Sequence, residues 1–217
     1  MPDAALAKPR LRGVSHQWAF FVSVVLGTLL VLAAPGGEAK VASAIYAFSV
    51  AGLFGASALY HRIDWVSLSA RRWMRRLDHS MIFVLIAGTY TPFALLVLHG
   101  TLATVILIVI WTGAAAGIVL KLFWIDAPKW LIAVIYVALG WVAVAAFPDM
   151  LHRLGVTPTA MVAAGGALYT LGAVVYARQR PDPAPKVFGY HEVFHALVIA
   201  AAALQYAVIA FYVLPDA

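Results

Sequence analysis

Two histidines four residues apart, His191 and His195, open the last apolar stretch of the chain, FGYHEVFHALVIAAAALQYAVI. Residues at i and i+4 share one helix face with Cβ atoms about 6 Å apart, so both imidazoles can reach one ion. Burying two such rings at a membrane edge is costly unless something compensates, and a metal ion would do that. Three more residues have the right chemistry: His61, Asp78 and Ser57. Three neutral imidazoles plus a water form a common catalytic Zn²⁺ arrangement, tetrahedral with one open position. A carboxylate that is not itself a ligand can orient that water or accept its proton. Ca²⁺ or Mg²⁺ would want more oxygen ligands. The chain has no cysteine, which rules out a thiolate site and a disulfide framework alike.

What must position these residues is a set of membrane-spanning helices. A soluble domain carries about 25% charged and about 45–50% apolar residues. Here 11% are charged and 64% hydrophobic, with a mean hydropathy of +0.93. Such a chain cannot cover itself with polar surface, so its solvent must largely be lipid. Apolar runs of about 20 residues, enough to span, fall at Trp18–Pro35, Val41–Arg62, His79–Leu98, Thr101–Phe123, Trp130–Phe147, Thr157–Arg178 and Tyr190–Leu214. The predicted fold is all-α: a seven-transmembrane helix bundle forming one domain over residues 1–217, with residues 1–15 as a basic tail. KPRLR precedes the first run as it would a signal peptide, but that run is long for a signal h-region and six spans follow, so it reads as a retained helix.

Charge sets the predicted orientation. Thirteen of the fifteen basic residues fall in the N-terminal tail and the second, fourth and sixth loops, leaving only Lys40 and Arg153 on the other side. Basic loops stay cytoplasmic, so the N-terminus is expected inside and the C-terminus outside the cell. The net charge of +6 then reflects loop orientation. No basic patch is interleaved with aromatics that could stack on bases, so the expected partners are membrane lipids and a lipid-like substrate or ligand, not nucleic acid.

Depth brings the candidates together. His61 ends the second span as it arrives at the cytoplasmic face; Asp78 begins the third as it leaves; His191 and His195 occupy the first turns of the seventh. Ser57 sits one turn deeper than His61 on the same face. The plainer alternative is a ring of interfacial polar residues reaching for water.

The stretches SALYHR (Ser57 to Arg62), LDHSMIFVLIAGTYTPFALL (Leu77 to Leu96) and GYHEVFHALVIA (Gly189 to Ala200) resemble the hemolysin III family, the bacterial branch of the progestin and adipoQ receptor superfamily that includes the adiponectin receptors. The resemblance covers essentially the whole chain. It implies Zn²⁺ held by His61, His191 and His195, Asp78 hydrogen-bonded to the water on the metal, and Ser57 close by. The superfamily in turn resembles alkaline ceramidases, implying hydrolysis of a lipid amide. The family name implies a pore-forming cytolysin instead.

HEVFH also fits H-E-x-x-H, the zincin pattern in which the glutamate is general base. With a third histidine and a carboxylate supplied by other spans, Glu192 reads instead as a helix N-terminal carboxylate, about 100° off the histidine face. Three classes remain open: a zinc-dependent hydrolase of a lipid amide or ester with Asp78 and Ser57 as catalytic residues, a receptor or sensor with structural zinc, and a cytolysin. The loop RIDWVSLSARRWMRRLD has the basic and aromatic makeup of an interfacial helix. Gly113 and Gly117 permit close helix approach. Pro92 should kink the third helix, with Thr89 or Thr91 covering the freed backbone. His16, His79, His99 and His152 read as interfacial, with His79 placed to support Asp78.

Overall fold

Lipid offers no partner to a backbone N–H or C=O, so a chain this apolar must satisfy its backbone within helices. The computed structural model describes residues 8–217; residues 1–7, nearly half of the expected basic tail, lie outside the described residues. The helices are α1 (Val14–Ala33), α2 (Gly37–Arg62), α3 (Leu68–Leu96), α4 (Gly100–Phe123), α5 (Lys129–Gly140), α6 (Phe147–Leu154), α7 (Val156–Arg178) and α8 (Tyr190–Val208). A 3₁₀ segment, Trp141–Ala146, joins α5 to α6, and the three together make one span. Seven units are therefore long and apolar enough to cross a membrane, and the described residues contain no strand.

Three departures of the spans from their expected limits bear on the site and its supports. First, α1 begins at Val14, four residues before Trp18, because its opening turn (Ser15, His16, Gln17) is polar and escapes a hydropathy reading. Second, α3 begins at Leu68 rather than His79. The Ser67 hydroxyl caps it by accepting from the Ala70 N–H at 3.3 Å, and arginine, methionine and leucine propagate it. The expected interfacial helix is therefore the first turns of α3 itself. Third, the fifth span runs on to Leu154 and is broken at Gly140–Trp141. The Tyr90 hydroxyl bridges the break: it donates to the Gly140 carbonyl and accepts from the Ala143 N–H at 2.6 Å. An irregular backbone at membrane depth survives where protein groups satisfy it.

Gly113 and Gly117 are both used inside the chain, against Leu139 and Phe83. Near Pro92 the threonines do less than expected. Thr89 and Thr91 donate to the carbonyls of Leu85 and Ala87, whereas the carbonyl a proline at 92 leaves free is that of Gly88. At the end of the bundle where α1 begins, Arg75 donates to Asp126 at 2.7 Å, and this hydrogen bond holds the Asp126 carboxyl below the usual carboxylate range.

Candidate metal centre

Two helices deliver the three histidines to one point. His61 lies in the last turn of α2, and His191 and His195 lie in the first two turns of α8. They are 7%, 9% and 1% exposed. Their candidate ligand atoms all lie within 4.8 Å of one another. The Nε2 atoms of His61 and His191 are 3.1 Å apart. Ligand nitrogens around a tetrahedral zinc, at about 2.0–2.1 Å each, stand about 3.3 Å apart. One pair is thus at that spacing already, and the widest closes with a ring movement on the order of 1.5 Å. The donor set, three imidazoles without a thiolate, suits zinc, so the residues present fit the ion.

Asp78 lies in the interior of α3, 7% exposed. Its Oδ2 is 3.9 Å from Nε2 of His61 and 3.9 Å from Nε2 of His79. That is too long for a hydrogen bond and about right for one intervening water. Ser57 lies close to Asp78 and shares a 2.8 Å hydrogen bond with Nδ1 of His16. Tyr136 donates to the His79 carbonyl at 2.9 Å, fixing α3 to α5 at this level. All five residues singled out for chemistry therefore meet at one end of the bundle.

A sixth group joins them. His16 is 2% exposed and stacks on His195, with ring centroids 3.7 Å apart and planes 10° apart. It was expected at the interface because the first span was started at Trp18. Starting the helix after Gly13, a residue type that favours turns, puts it at the depth of His61. Gly13 itself has φ +79°, and a Cβ there would meet the His61 Cβ at 2.6 Å, so glycine lets this segment lie against the site.

Glu192 of HEVFH is engaged elsewhere. Its Oε2 accepts from the Gly189 N–H at 2.8 Å and its Oε1 pairs with Arg12. Arg10 and Leu11 donate backbone N–H groups to Lys186 and Val187, both at 3.1 Å. The N-terminal segment is thereby strapped to the loop before α8, beside His61.

From the site an internal cavity runs between α3, α5, α7 and α8. It has a volume of about 160 Å³, against the ~10–15 Å³ one water requires on the same measure. His16, Ser57, Asp78, His191 and His195 form its polar end, and Ile86, Phe93, Val162 and Val198 are among its mostly apolar walls.

Seven apolar helices around a buried triad of histidines define a multi-pass membrane protein with a site able to take a metal ion. The chain belongs to the haemolysin III family: the profile described as Haemolysin-III related matches residues 4–206. It is 33% identical to Hemolysin-3 of Bacillus cereus over 194 residues, covering 87% of this chain and 85% of that protein. It is 31% identical to the Hemolysin-3 homolog of Bacillus subtilis (strain 168) over 202 residues, covering 92% and 91%. A more distant likeness, 25% over 195 residues and 88% and 79% of the two chains, is to the Homo sapiens monocyte to macrophage differentiation factor. That match accords with the superfamily resemblance carried by the motifs. The protein is a multi-pass component of the bacterial cell membrane.

Proposed function

We propose that this protein is a zinc-dependent hydrolase of a lipid amide or ester. The observation that carries the reading is the cavity, because it joins the histidine and aspartate cluster to an apolar space of lipid-tail dimensions. Along α3 its lining runs from Asp78 to Phe93, about 22 Å of helix. A zinc ion held by His61, His191 and His195 would activate water near neutral pH and stabilise charge developing on a carbonyl oxygen. The chain's own groups do the rest. The apolar walls take the acyl chain and exclude bulk water. Asp78, one water's width from His61, takes a proton from the attacking water and returns it to the departing nitrogen or oxygen. Ser57, anchored by His16, orients the Asp78 carboxyl.

The relatives' names contain the word hemolysin, which supplies the cytolysin reading. A cavity with mostly apolar walls suits a lipid tail better than a file of hydrated ions. The charge distribution supports a cytoplasmic N-terminus, with the site facing the inner leaflet. A reporter fused at residue 217 should give an extracytoplasmic signal, and a cytoplasmic one would reverse that orientation.

The deciding experiment uses Asp78→Asn. Its zinc content should stay near that of the unaltered protein while hydrolysis of a ceramide-like lipid in mixed micelles falls by roughly 10²–10⁴-fold, the usual worth of a positioned acid–base group. Equal zinc loss in Asp78→Asn and His195→Ala would make Asp78 a ligand and the metal structural, as in a receptor or sensor.

A further inference from the structure

We infer that His16 is a positioning residue of the metal centre, holding His195 through its ring face and Ser57 through Nδ1, without ligating the ion. The inference rests on the metal reading above and extends it to a residue of the first helix. A metal-bound imidazole is ordinarily fixed by a hydrogen bond from its other ring nitrogen to a carboxylate, carbonyl or water. His195 Nδ1 is buried and has no such partner among the described residues. What restrains its ring is the stack on His16, at 3.7 Å and 10°. His16 is restrained in turn: Phe54 packs on it at 5.0 Å, tilted by 58°, and Ser57 Oγ bonds its Nδ1 at 2.8 Å. Ser57 is also the neighbour of Asp78. One buried side chain therefore touches both a candidate ligand and the hydroxyl beside the candidate acid–base group.

A polar imidazole is an odd choice if the position only needs filling. Phenylalanine would supply the same face for stacking and would not leave a buried nitrogen such as His16 Nε2 unpartnered. The two roles of His16 can be separated on that basis. His16→Phe keeps a ring against His195 and drops the bond to Ser57. His16→Asn keeps a hydrogen-bonding group and drops the ring.

The test loads the full-length, detergent-solubilised protein with Co²⁺ in place of zinc and reads two quantities: the visible d–d bands, and the half-life of the bound ion against excess EDTA. Outer partners of metal ligands are worth roughly 10–100-fold in metal affinity or activity, so His16→Asn should shorten the half-life about 10-fold and leave the bands in place. His16→Phe should do the opposite, holding the half-life while shifting the bands. Ser57→Ala should shift them equally, and the double variant His16→Phe with Ser57→Ala no further, because the two act through one contact. Identical behaviour of His16→Phe and the unaltered protein in both readouts would make His16 a packing residue and overturn the inference, as would additive shifts in the double variant. If the unaltered protein takes up neither Co²⁺ nor Zn²⁺, the metal reading itself falls and carries this one with it. Thermal melting of each apo variant identifies a folding defect, and the crossed pattern of Phe and Asn is one that a folding defect alone does not produce.

Discussion

Along its face toward α2, helix α3 leaves no spare room. A Cβ on Gly88 would come within 2.5 Å of the Ser49 Cβ, and one on Gly52 of α2 would meet the Met81 Cε at 2.5 Å. Along its other face, from Asp78 through Ile82 and Ile86 to Phe93, the same helix borders the cavity. Gly166 on α7 lines that space too, and a Cβ added there meets nothing within 4 Å. The close-packed seam holds Ser57 and His61 in fixed register with Asp78, whereas the open seam supplies volume. A site that must place polar atoms to within a fraction of an ångström and still admit a long apolar molecule needs both kinds of contact on one helix.

The largest effect should come from untying the helices at the metal. His195→Ala should lower zinc content well below one ion per chain. It should also remove stability on the order of 4 kcal/mol where zinc stands a thousandfold above its dissociation constant. Elemental analysis and thermal melting in detergent measure the two together, and full zinc retention would place the ion elsewhere. Next come paired overpacking variants. Gly88→Val forces a side chain into the closed seam and should destabilise by about 1–3 kcal/mol. Gly166→Val should melt with the unaltered protein while hydrolysis or lipid uptake drops, because it fills space and displaces nothing. Equal melting shifts in the two would abolish the distinction between the seams. The smallest expected effect is at the broken span. Tyr90→Phe deprives the Gly140 carbonyl and the Ala143 N–H of their partner, which should lower stability by about 1 kcal/mol, with little change in metal content.

The histidines and Asp78 are readable in the sequence, and the two seams of α3 are not. Four-residue spacing placed His191 and His195 on one face, and counting inward from basic loops brought His61 and Asp78 to their level. Both signals are local and survive errors of a few residues at helix ends. His16 lay within that margin: the apolar run starts at Trp18, the helix at Val14. The start of α3 was hidden by four arginines, although Ser67 ahead of a helix-forming run was a legible cap. The break in the fifth span carries no local mark, because the group that satisfies it, Tyr90, is 50 residues away from Gly140 in the chain. A cavity is missing matter between four helices, and no single stretch of residues encodes it.

The strap of Arg12 against Glu192 and the stack of His16 on His195 join the first described helix to the last. That closure has a consequence for biogenesis. A ribosome makes α1, α2 and α3 well before α8, and until residue 191 has emerged the nascent protein can gather only one of its three metal-capable histidines, with the set complete only at residue 195. If the proposed ion binds, its capture is therefore a late event in synthesis, and a chain truncated in the sixth loop would differ from a finished one by lacking two of the three histidines that could hold it.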